Sequence, residues 1–165
     1  MKHVILTLLV VIVIGAGACF VVVDSGWINV AAGEPAWMAN TLDKVMMTSA
    51  ARHARGVKPV VIRDPEKLAD GFAEYHMTCE TCHGAPGTDG ADFSKHMDPT
   101  PPEPDELAKD DPAMIFWIAK NGIRMTGMPA FGALESDDKL WEIVNVIPQL
   151  AKMTPAEYQQ RIAQP

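Results

Sequence analysis

Val4 to Val23 is a run of 20 residues without a charge, and it constrains this chain more than any other feature. At about 1.5 Å per residue a helix of that length spans about 30 Å, the thickness of a bilayer's hydrocarbon core. Lys2 and His3 precede the run; Asp24, Ser25, Gly26 and Trp27 follow it. Lys2 and the terminal amine favour an N-terminus in the cytoplasm, and an indole at Trp27 suits the opposite interface. Residues 1–26 are therefore expected to be a transmembrane anchor or an uncleaved signal. Two other routes stay open. Ala16-Gly17-Ala18 fits a signal-peptide cleavage site after Val4–Ile14, although Phe20 to Val23 prolong the run beyond what such a signal needs. Cys19 is placed where a lipid could be attached. All three routes export the rest of the chain, so the expected location is the bacterial cytoplasmic membrane, single-pass, with the remainder on the periplasmic side.

The exported part reads as helices. Residues 27–63 form a spacer: Pro35 opens a helix that Gly56 stops near Arg55, with Trp37, Met38, Leu42, Val45, Met46 and Ala50 at three- and four-residue spacings. It is expected to pack on the following domain or on a partner subunit. Arg52, Arg55, Lys58, Arg63 and Lys67 form a basic cluster, read as a solvated face or as one turned to lipid headgroups. Residues 64–165 make the main domain. Asp64-Pro65 is a cap followed by a proline at the first helical position. Leu68, Phe72 and Tyr75 carry the helical period to a cysteine pair. From Gly84 to about Glu106 the chain is rich in Gly, Pro and Asp, and reads as a long loop. A helix follows over Ala113–Asn121, apolar all round; another begins near Ser136 and should kink or end at Pro148. Thr154-Pro-Ala-Glu157 is a capping box for a short last helix. No strand pattern emerges, so the fold class is all-α.

Net charge is −7, which excludes nucleic acid as the expected partner, because phosphate binding needs a basic surface. Three cysteines, one close pair and one distant, do not make a disulfide framework. They point instead to a local covalent or metal site.

That site is Cys79-Glu80-Thr81-Cys82-His83, a C-x-x-C-H sequence, the signature of covalent haem attachment. Two thiols three positions apart on a helical turn can both reach the vinyl groups of one porphyrin, and the adjacent imidazole can face its iron. A thioredoxin-type pair needs no following histidine and sits among strands. A zinc site needs a fourth ligand, for which His76 or His96 is available but not demanded by spacing. One covalent haem c is the expected cofactor.

Gly71-x-x-x-Tyr75-x-x-x-Cys79-x-x-Cys82-His83-Gly84 resembles the N-terminal helix and haem-binding turn of class I c-type cytochromes. Asn121 to Gly132, with Met125 and Met128-Pro-Ala-Phe131, resembles the family's loop that carries the sixth iron ligand. Leu140-Trp141-x-Ile143-Val144 resembles its C-terminal helix. With the N-terminal helix, the whole is similar to membrane-anchored single-haem cytochromes. The resemblance implies several helices around one haem, Cys79 and Cys82 as thioether attachments, and His83 and Met128 as axial ligands. Met125 is the alternative to Met128. It also implies a proline-loop carbonyl behind His83. Four prolines compete for that place (Pro99, Pro101, Pro102 and Pro104), with Pro101 or Pro102 preferred. Tyr75, Trp117, Pro129 and Phe131 are candidates for the haem pocket, with ordinary core as the alternative.

Both axial positions filled would make the protein an electron carrier rather than an enzyme. Redox-partner proteins are then expected, such as a terminal oxidase or a quinol-oxidising membrane complex. Asp98 to Asp111 holds six acids and one lysine, a strip that would steer a basic partner or simply solubilise a proline-rich loop. The competing function is a haem enzyme or gas sensor with an open iron position.

Overall fold

The computed structural model describes residues 2–26, 29, 31 and 33–163. Trp27, expected at the membrane interface, lies outside them. The chain divides into two compact units, Met1–Pro35 and Ala36–Pro165.

The first unit is helix α1, Lys2–Asp24, none of whose residues is buried. Its mean hydropathy reaches 3.0, and by length and composition it is able to cross a membrane. A helix suits that setting because each of its backbone groups is satisfied within the segment.

The second unit is helical, and its described residues form no strand; Ala85 and Thr88 make one isolated bridge. Helix α2, Ala36–Ala54, buries Ala50 and Ala54 in a small cluster with Ala113 and Met114 of helix α6, Pro112–Asn121. Small side chains let these two helices approach closely. His53 stacks on Trp117 beside them, with ring centroids 5.1 Å apart. The extended segment after α2 is clamped by one side chain. Asn145 Oδ1 accepts from the Ile62 amide at 3.0 Å, and Asn145 Nδ2 donates to the Val60 carbonyl at 2.8 Å.

Helix α3, Pro65–Glu74, starts as its sequence demands: the Asp64 side chain accepts from the Glu66 amide, with Pro65 in the first turn. Its continuation departs from simple periodicity. Tyr75–Cys79 forms a π-helical turn, and α4, Glu80–His83, follows it. Such turns insert one residue into a helix and re-aim the side chains after it, frequently at functional sites. Gly84, at φ +68°, ends the run in a conformation that costs other residues a steric penalty.

The stretch read as a long loop contains two short turns, a 3₁₀ segment at Ser94–His96 and α5 at Pro104–Leu107. Another 3₁₀ turn, Phe131–Ala133, leads to α7, Asp137–Leu150, capped by Ser136. Pro148 falls in the last turn of α7 and the helix ends two residues later. Helix α8, Pro155–Ile162, opens with both halves of its capping box formed by Thr154 and Glu157.

The main core lies where α3 crosses α7. Phe72, Tyr75, Leu140, Trp141, Ile143, Val144, Val146, Ile147 and Leu150 are buried there, and Tyr158 of α8 closes it. Each large apolar side chain removed from water contributes about 1.5–3 kcal/mol. Phe116 of α6 stacks on Trp141 with centroids 4.3 Å apart and planes 4° from parallel. The crossing is close because residue 71 is glycine. A Cβ there would lie 2.4 Å from the Glu142 carbonyl oxygen.

Candidate haem site

The site begins on the π turn. Tyr75 sits at its start, 1% exposed, and its hydroxyl donates to the Gly84 carbonyl at 2.8 Å. That bond ties the beginning of the turn to the residue just past His83. It also places Tyr75 in the main core. Burial is the first cause holding its phenol above its ordinary pKa, so the group stays a donor.

Cys79 and Cys82 lie three residues apart on one helical stretch, both half-buried. Burial foremost, then the neighbouring Cys82 and Glu74, pushes the Cys79 thiol up to about 12. Among the described residues no group of three or more His, Cys, Asp or Glu is arranged to hold a metal ion, so the turn has no partner side chains for a zinc cage.

His83 is oriented from outside its own helix. Its Nδ1 lies 2.7 Å from the Pro102 carbonyl oxygen. A carbonyl can only accept, so Nδ1 carries the proton and donates. The lone pair of the neutral ring is then on Nε2. Burial lowers the His83 pKa and the Pro102 bond opposes it, burial being the larger effect; the neutral form is favoured. Of the four prolines, then, Pro102 makes this contact. Pro101 is half-buried beside it, and α5 buries Pro104.

The second loop closes on itself. Ile123 donates to the Met128 carbonyl at 3.2 Å, Thr126 Oγ1 donates to the Ile123 carbonyl, and the Met128 amide donates to Thr126 Oγ1. Gly122, at φ +68°, lies so near the returning backbone that a Cβ would stand 2.8 Å from the Met128 oxygen. Met128 is at the base of this loop and half-buried, with Pro129 next to it exposed. Met125 is at the tip, 95% exposed and at φ +64°. The two loops meet: the Met97 methyl occupies the place where a side chain on residue 127 would begin. The stretch leading to Pro102 therefore packs on the loop carrying Met128.

The remaining candidates separate. Phe131 packs on the main core, half-buried, whereas Trp117 lies under His53 at the α2–α6 contact. One cluster went unread in the sequence. Glu80, inside the C-x-x-C-H stretch, is bonded to His76 and to the Tyr158 hydroxyl, which pins α8 to the attachment turn. The i,i+4 spacing of His76 and Glu80 was the available signal; Tyr158 had none.

Two thiols on one stretch, a neutral imidazole with a free nitrogen, and a thioether on a converging loop form a donor set that fits haem c. Residues 66–146, just under half of the chain, match the family model described as cytochrome c oxidase, cbb3-type, subunit III. Neither the curated proteins nor the solved structures contain a match to the chain. The all-helical architecture, the C-x-x-C-H turn and that match together support a c-type cytochrome, preceded here by an apolar N-terminal helix.

Proposed function

We propose that this protein is a single-electron carrier with one covalent haem, anchored by α1 in the bacterial cytoplasmic membrane, its cytochrome domain on the periplasmic side. Cys79 and Cys82 hold the haem by thioethers, and His83 and Met128 are its axial ligands. When bound, the haem supplies an iron that takes up and releases one electron.

One observation carries this reading: the 2.7 Å bond between His83 Nδ1 and the Pro102 carbonyl. It commits the ring to one tautomer, fixes its orientation and raises the basicity of Nε2, as a partner behind a ligating histidine does. Met128 is preferred over Met125 because it is held at the loop's base beside Pro129, whereas Met125 stands in solvent. A thioether favours reduced iron and raises the potential. Two protein ligands on iron leave no coordination place for a substrate, which distinguishes a carrier from a haem enzyme or gas sensor. The matched family is described as an oxidase subunit, which supports a respiratory oxidase as the complex served. The acidic strip from Asp98 to Asp111 suits a basic partner surface.

The test is intact mass and haem staining on a denaturing gel, using full-length protein taken from membranes. One haem beyond the polypeptide mass is expected. A mass equal to the polypeptide alone overturns the reading, and ready carbon monoxide binding by the reduced protein would favour the open-site alternative.

A further inference from the structure

Helix α2 uses one face against α6, through Ala50 and Ala54. Its outer face is not the polar surface expected of a helix that has already buried its core side. Trp37, Leu42 and Val45 stand there 69%, 54% and 62% exposed. Lys44 and Arg52 lie along the same side, and with Val45, Thr48, Ser49 and His53 they line a shallow groove of about 430 Å³. Lys and Arg can lay their apolar stems along such side chains while their charged heads reach a lipid surface.

Charge says what kind of surface fits. Residues 36–63 hold five Lys or Arg and a single acid, while residues 64–165 hold eight against eighteen. The molecule is acidic overall, yet this segment is strongly basic. An anionic lipid surface attracts the segment and repels the remainder. Eleven residues, 25–35, join α1 to α2, and even fully extended they reach only about 40 Å. A helix tethered this closely to a bilayer meets it at high effective concentration.

We infer that the outer face of α2 binds the surface of an anionic phospholipid bilayer, with Trp37, Leu42 and Val45 entering the headgroup boundary and Lys44, Arg52 and Arg55 meeting lipid phosphates. The inference rests on the anchoring of α1 proposed above. Docked this way, α2 fixes the orientation of the cytochrome domain towards the membrane.

The experiment uses full-length, haem-loaded protein carrying Cys19→Ser and a nitroxide label at Val45→Cys, in vesicles of equal parts phosphatidylglycerol and phosphatidylcholine. Accessibility to an aqueous nickel chelate is compared with that of a label at Gln159→Cys on exposed α8. Shielding of position 45 by several-fold is expected, and the same at Thr48→Cys, which guards against a local effect of the label. The shielding should vanish in pure phosphatidylcholine and in a Lys44→Glu, Arg52→Glu, Arg55→Glu variant with an unchanged haem spectrum. Equal accessibility at 45 and 159, or shielding indifferent to lipid charge, overturns the inference. Shielding that requires another protein also overturns it. A label at Val13→Cys reports α1 separately, so failure of the anchor is distinguishable from failure of the docking face.

Discussion

Gly71→Ala is the sharpest test of how α3 and α7 are held together, because two effects of opposite sign compete there. On helix propensity alone, alanine inside α3 would stabilise the protein by about 1 kcal/mol. The added methyl, however, would start 2.4 Å from the Glu142 carbonyl oxygen, 2.7 Å from its carbon and 3.2 Å from Val146 Cγ1. Two of those three atoms are backbone of a buried helix, so relief requires the crossing to open by roughly 1 Å rather than one side chain to turn. Overpacking of this kind costs about 1–3 kcal/mol, and backbone contact places it at the upper end. The net expectation is a loss of about 2 kcal/mol, or roughly 6–8 °C in Tm for a unit of this size. Guanidinium unfolding of the haem-loaded protein, followed by far-ultraviolet circular dichroism, measures it. Gly56→Ala is the control, since nothing lies within 4 Å of its would-be Cβ, and it should be neutral or slightly stabilising. A Gly71→Ala protein as stable as the parent would refute the claim that backbone contact sets the distance between these helices.

Two further outcomes follow from the site and the last helix. Met128→Ala should lower the reduction potential and admit carbon monoxide to the reduced protein, whereas Met125→Ala should do neither; the opposite pattern in a redox titration would move the ligand to residue 125. The Glu157 carboxyl is held below its ordinary value by bonds from the Thr154 amide and hydroxyl, so its contribution is present above about pH 4.5 and lost as pH falls through the lowered value. Thr154→Ala should therefore cost about 1 kcal/mol at neutral pH and flatten the acid dependence of amide protection in α8, which hydrogen exchange reads directly; an unchanged acid profile would show that the box does not hold the helix end.

The signals legible in the amino-acid order were those whose partners lie within one or two helical turns. The uncharged run from Val4 to Val23, the C-x-x-C-H turn, and the caps at Asp64 and Thr154 are all of this kind. Their physics is local: a helix repeats every 3.6 residues and its end groups need partners close by. They determined that the chain is helical, that its first segment is apolar enough to span a bilayer, and that two thiols and an imidazole share one turn. What only the tertiary structure decided are meetings between distant segments. Pro102, rather than its neighbours, reaches His83 from 19 residues away. Asn145 clamps a connector more than 80 residues earlier, Met97 fills the space beside Gly127, and Tyr158 reaches Glu80. Each of these depends on the path of a loop or the angle of a crossing. Both are set by the packing of the whole core, and no short stretch of residues encodes them.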